Sequence, residues 1–143
     1  MYKGDWLGKE VAVKFYRKEF EFALQHEVEM LTRLLQGIQG IPTLVHTNAA
    51  QRYLLMTPIG ESLAFRKSHG RLPYVFIQLV EILRGVHEKG IIHRDIRPAN
   101  ILLVKGELDT KPHVVLIDWG FAAIAGKKEI FSFLIRAKNY NYF

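Results

Sequence analysis

His93-Arg94-Asp95-Ile96-Arg97-Pro98-Ala99-Asn100 follows a helical apolar stripe and precedes the short apolar run Ile101–Val104. The stretch therefore reads as a loop between a helix and a strand. An aspartate on such a loop can accept the proton of a hydroxyl group. An asparagine five residues later can hold a magnesium ion. Downstream, Asp118-Trp119-Gly120 directly follows a second apolar run, residues 114–117. Its carboxylate is a hard oxygen ligand of the kind Mg²⁺ takes beside phosphate oxygens. Upstream, Val11-Ala12-Val13-Lys14 ends a β-branched stretch with a lysine that can pair with phosphate.

The rest of the chain supplies elements to carry these groups. Residues 1–15 read as two strands around a tight turn at Leu7-Gly8-Lys9. Residues 17 to about 38 read as one amphipathic helix, with Phe20, Ala23, Leu24, Leu31, Leu34 and Leu35 recurring at three- and four-residue steps. Gly37, Gly40 and Pro42 end it. Residues 41–45 and 53–56 read as strands joined by a polar turn around Asn48. Thr57-Pro58-Ile59-Gly60 is a breaker cluster and the natural boundary between two lobes. A second helix follows, with Leu72, Phe76, Leu79, Val80, Leu83 and Val86 as its stripe and Gly90 as its cap. Ile101–Val104 and residues 114–117 suggest a hairpin around a charged loop containing Gly106 and Pro112. The tail from Lys127 has no assignment.

Bulk properties narrow the function classes. The 143 residues fit one compact domain. Hydrophobic residues at 49% and charged residues at 24% are those of an ordinary globular protein. With no cysteine, disulfide frameworks and thiolate metal sites are excluded. Twenty basic against fourteen acidic residues give +6. The basic residues are scattered without a nucleic-acid motif, so no nucleic-acid partner is expected and an anionic phosphate ligand fits better. No secretory leader opens the chain, and no apolar run approaches the roughly 18 residues of a membrane helix. A cytoplasmic or nuclear location and no membrane contact are expected.

With these motifs in this order and on these elements, the sequence resembles the protein kinase family. The catalytic-loop pattern matches at His93, Arg94, Asp95, Pro98 and Asn100, the strand-lysine pattern at Ala12 and Lys14, and the magnesium-aspartate pattern at Asp118 and Gly120. The resemblance implies an α+β fold: a small antiparallel β-lobe with one key helix, about residues 1–56, and a hinge at 57–60. Residues 61–123 would begin a mainly helical large lobe, leaving 124–143 unassigned.

It also requires a glutamate on the first helix. Glu27 shares the stripe of Leu24 and Leu31, whereas Glu29 falls on the polar face, so Glu27 is the expected partner of Lys14. ATP and Mg²⁺ are the implied cofactors, with Asn100 and Asp118 holding the metal. Lys14 would grip phosphates, Asp95 would orient and deprotonate a hydroxyl, and Arg97 would keep a positive charge near the γ-phosphate. Met56 would stand beside the adenine pocket, the backbones of Thr57 and Ile59 would bond adenine, and Ala12 and Leu102 would sandwich its ring. Leu31, His93 and Trp119 would stack between the lobes.

The implied reaction is phosphoryl transfer to protein serine or threonine, less readily tyrosine. The resemblance covers about residues 2–123. It places the family's glycine-rich loop before Met1 and the remaining large-lobe helices beyond the tail. The chain is therefore expected to be a truncated domain with weak nucleotide binding and little transfer on its own. Its exposed large-lobe surface would be open to a partner. Two other classes stay open: a pseudokinase-like binding module, and a small-molecule kinase of the aminoglycoside or choline type. Ile117-Asp118-Trp119 fits the latter, whereas Arg94, Gly120 and the Val-Ala-Val-Lys strand fit protein kinases better.

Overall fold

The computed structural model describes residues 1–65, 72–105 and 112–126. Strands β1 (Tyr2–Trp6) and β2 (Lys9–Phe15) form the opening hairpin. Leu7 and Gly8 both take positive φ, 54° and 77°, the geometry whose twist matches that of paired strands. The Asp5 carboxylate accepts the Gly8 N–H at 3.0 Å and closes the turn. Helix α1 (Glu21–Glu29) follows a 3-10 turn, then β3 (Thr43–Asn48) and β4 (Tyr53–Thr57). The four strands make one antiparallel sheet in the order β1-β2-β4-β3.

Beyond residues 58–60 come β5 (Glu61–Ser62), helix α2 (Leu72–Glu88) and β6 (Ile91–Ile92). Then come β7 (Ile101–Val104), β8 (His113–Leu116) and β9 (Ala123–Ile124). Strands β5, β7 and β8 form a three-stranded antiparallel sheet, and β6 pairs with β9. Gly90 ends α2 with φ +68° and donates its N–H to the His87 carbonyl. The expected α+β architecture is therefore present. No helix among the described residues is long and apolar enough to cross a membrane.

The period-two pleat of β7 decides how the site is lined. Ile101 and Leu103 turn into the main core with Leu24, Leu31 and Trp119. Leu102 turns the other way and packs with Val115 and Ile117 in a small separate cluster.

Four expectations need correction. The first helix is not continuous: after Glu29 it widens into a π turn over Met30–Leu34, with the Leu35 N–H bonded to the Met30 carbonyl. Strand β3 is Thr43–Asn48 rather than 41–45, paired with β4 from Thr43 to Asn48 across a register shift between Leu44 and His46. The hairpin's return strand is His113–Leu116, one residue earlier than expected. The stripe of α2 holds at Leu79 and Val86, which are buried, but Val75 and Ile82 complete the buried face in place of Phe76 and Val80, which are 59% and 64% exposed. This helix is apolar around most of its circumference, so periodicity alone does not select the face that meets β8. Gly106 and the tail from Lys127 lie outside the described residues.

Candidate active site

Lys14 in strand β2 and Tyr16 just past its end face the same way, two residues apart, while Phe15 points away and is exposed. Lys14 thereby faces α1, whose buried stripe of Ala23, Leu24 and Glu27 is set by three- and four-residue spacing. Lys14 Nζ lies 2.6 Å from Glu27 Oε2 and 2.8 Å from Asp118 Oδ1. Glu27 has no exposed surface, and a carboxylate there must be fully bonded. Its Oε2 also accepts the Tyr16 hydroxyl, and its Oε1 accepts the Trp119 N–H at 3.1 Å.

Charge and burial compete within this cluster. Burial pulls the Lys14 ammonium down, but the carboxylates of Glu27 and Asp118 outweigh it and leave its pKa raised. Burial pushes the Glu27 carboxyl up, and the nearby Lys14 offsets this only in part. Mutual attraction keeps the cluster together at a cost in desolvation.

The loop from His93 to Asn100 is held from several sides. His93 is buried, stacks edge-on against Trp119 at 4.5 Å, and donates Nε2–H to the Ile117 carbonyl at 2.9 Å. Its Nδ1 accepts the Asp95 N–H at 3.2 Å. These two bonds define a neutral imidazole, and burial keeps its pKa low. A single 3-10 turn over Pro98–Asn100 brings Asn100 back to Asp95. Asn100 Nδ2 donates to the Asp95 carbonyl at 2.9 Å and to Asp95 Oδ2 at 2.7 Å. Arg97 Nε reaches the same Oδ2 at 3.2 Å from an exposed position. Ser62 on β5 donates to the Pro98 carbonyl at 3.2 Å and ties down the turn.

Arg94 and Asp118 both adopt left-handed backbone, φ 69° and 71°. For residues with a Cβ this costs about 1–3 kcal/mol each and persists only where surroundings enforce it. Arg94 donates to the Phe121 carbonyl at 2.7 Å through Nε, and His26 bonds the Ala122 carbonyl at 2.9 Å through Nε2. The stretch after Asp118 is thus tied to both α1 and the loop. A side chain at Gly120 would meet the Ala23 carbonyl at 3.2 Å, so a glycine lets this stretch approach α1.

An open cleft of about 1540 Å³ lies against these groups. Ala12, Lys14, Ile59, Leu102, Asn100 and Asp118 all line it. Met56 and Thr57 do not line it: Met56 pairs with Ala12 across the sheet and is buried in the core, and Thr57 ends β4. Glu27 is buried behind Lys14, whereas the side chains of Asp95 and Arg97 reach solvent beside the lining, joined to it through Asn100.

The donor set suits Mg²⁺. Asn100 spends its N–H₂ on Asp95, which leaves its side-chain oxygen to act as a ligand, and Asp118 offers a carboxylate on the same cleft. No group of three or more histidine or acidic residues able to hold a metal occurs among the described residues. One carboxylate and one amide fit an ion that takes few protein ligands and completes its shell with phosphate and water.

Sequence reasoning passed over Tyr16, His26 and Ser62. Tyr16 carried a signal, the strand period that places it beside Lys14. His26 and Ser62 carried none, since their partners lie 96 and 36 residues away.

The protein kinase domain family matches residues 3–141, which takes in residues 124–141 that motif reading left unassigned. Human serine/threonine-protein kinase D2 is 34% identical over 134 residues, covering 85% of this chain and 15% of the relative. Serine/threonine-protein kinase PKH1 of Saccharomyces cerevisiae is 36% identical over 132 residues, covering 82% and 16%. A putative ribosomal protein S6 kinase alpha-2 of Caenorhabditis elegans is 31% identical over 129 residues, with the same coverage. The chain thus spans about 15% of the length of these relatives.

Proposed function

Because this chain belongs to the protein kinase family, we propose that it transfers the γ-phosphoryl group of ATP to serine and threonine hydroxyls of proteins, with Mg²⁺ as its metal. The observation that carries this reading is Lys14, held between Glu27 and Asp118 on the wall of the cleft. A lysine fixed in this way meets phosphate oxygens without first paying for its own orientation. Ala12, Ile59 and Leu102 supply a cleft wall suited to a flat base, and the Ile59 backbone is the proposed adenine contact.

Asn100 and Asp118 would hold Mg²⁺, which neutralises charge on the transferring phosphate when bound. Asp95 aligns the acceptor hydroxyl and takes its proton as that oxygen bonds to the γ-phosphorus and ADP leaves. Asn100 fixes Asp95 through two hydrogen bonds. Arg97 adds positive charge beside Asp95. A protein hydroxyl is favoured over a small-molecule acceptor because the relatives above are named as serine/threonine-protein kinases.

The test is incorporation of labelled phosphate from ATP and Mg²⁺ into degenerate serine/threonine and tyrosine peptide libraries. Incorporation into the first library, abolished by Asp95→Asn, is expected. Incorporation that Asp95→Asn leaves unchanged, or incorporation into the tyrosine library alone, overturns the reading.

A further inference from the structure

Tyr16 touches both members of the Lys14–Glu27 pair. Its ring lies 4.9 Å from Lys14 Nζ, and its hydroxyl donates to Glu27 Oε2. Its backbone N–H is fixed to the Arg52 carbonyl at 2.8 Å, and its ring packs against the main core. We infer that Tyr16 is a positioning residue, a third member of the pair, whose hydroxyl holds the Glu27 carboxylate in the orientation that serves Lys14 and the Trp119 N–H together.

The reason lies in how the donors are shared. Lys14 Nζ is divided between Glu27 and Asp118, and on the function proposed above, on which this inference rests, it also turns to phosphate. Each demand on the ammonium weakens its hold on Glu27. A lysine has a flexible four-carbon stem, whereas a tyrosine has two side-chain torsions and a rigid ring. The Tyr16 bond is therefore the side-chain contact to Glu27 that a ligand in the cleft leaves in place. With Trp119 N–H on Oε1 and Tyr16 on Oε2, the carboxylate keeps its rotamer while Lys14 moves. The ring face beside Nζ adds a weak attraction that keeps the ammonium near.

The test is a double-mutant cycle. Tyr16→Phe removes one oxygen and keeps the ring. Glu27→Met removes both carboxylate oxygens and fills their volume, with Glu27→Gln as the second background should Glu27→Met not fold. Thermal melting without nucleotide and the Kd for Mg²⁺-ATP are read for all four chains. Tyr16→Phe is expected to lower the melting point and weaken Mg²⁺-ATP binding about tenfold, as loss of a hydrogen bond to a charged group does. Both effects should largely vanish in the Glu27 variant. Equal effects in the two backgrounds, or a melting effect with unchanged affinity, overturn the inference. A wild-type chain that binds no nucleotide overturns the proposed function instead, and the nucleotide-free melting cycle then decides the Tyr16–Glu27 coupling.

Discussion

Lys14 Nζ lies 2.8 Å from Asp118 Oδ1, joining a strand of the first sheet to a residue 104 positions further along the chain. The same ammonium is 2.6 Å from Glu27 on α1. Three elements therefore converge on one side chain, and the arrangement is more than a local ion pair.

Lys14→Met should leave Glu27 buried without its main counter-charge. Breaking a buried pair from one side costs about 3–5 kcal/mol, and the lower end applies because Lys14 borders the cleft. Burial already raises the Glu27 pKa, and losing Lys14 raises it further. A carboxyl whose pKa is raised by folding binds its proton more tightly when folded. Acidification therefore relieves the variant, and its deficit against wild type should shrink from pH 8 to pH 5. Urea unfolding of both chains across that range checks the sign.

The Lys14–Glu27 pair was legible because each partner carried its own signal. Lys14 ended a β-branched run, and Glu27 was a charge on an apolar stripe, which needs a partner. The Asp95–Asn100 loop was legible from spacing. The phase of α2 was not, because Phe76 and Val80 satisfy a helical period as well as Val75 and Ile82 do. The partner surface, β8 with its neighbours, makes that choice. Strands β6 and β9 are two residues each, too short for a period, and exist because Ile91 pairs with Ile124 across the chain. His26 reaches a backbone carbonyl, which no side-chain pattern announces.

Asn100→Ala should uncouple Asp95. The lost amide makes two bonds to that residue, at 2.9 and 2.7 Å, and on the proposed function also supplies a metal ligand. A misplaced proton acceptor forfeits about 10²-fold or more in kcat. Asn100→Asp restores an oxygen ligand but loses the donor and sets a second carboxylate against Asp95, so it should not rescue. Steady-state turnover of the three chains at saturating Mg²⁺ checks this order.

Trp119 separates packing from polarity in the core. It is fully buried, stacks on His93, and donates Nε1–H to the Leu116 carbonyl at 2.9 Å. Trp119→Ala should cost about 3–5 kcal/mol through the cavity it leaves. Trp119→Phe keeps an aromatic ring and leaves one carbonyl unpaired, costing about 1–3 kcal/mol. Chemical denaturation distinguishes the two values.

His93 should make the fold sensitive to mild acid. The Ile117 carbonyl takes its Nε2–H, and Nδ1 accepts the Asp95 N–H, so a second proton on the ring would face a donor and break the Asp95 bond. Burial lowers its pKa from the ordinary 6.5. The unfolded chain therefore takes up this proton before the folded chain does. The contribution of His93 to stability is present above pH 6.5 and declines as pH falls from there through the folded pKa. Glu27, with its raised pKa, slopes the opposite way, so wild type alone does not isolate the effect. His93→Phe keeps the ring against Trp119 and removes the titration. It should be less stable than wild type at pH 8, because two backbone groups lose a partner, yet flatter between pH 6.5 and 5. Unfolding free energies of both chains across that interval measure the difference in slope, and parallel curves would show that folded and unfolded His93 bind the proton alike.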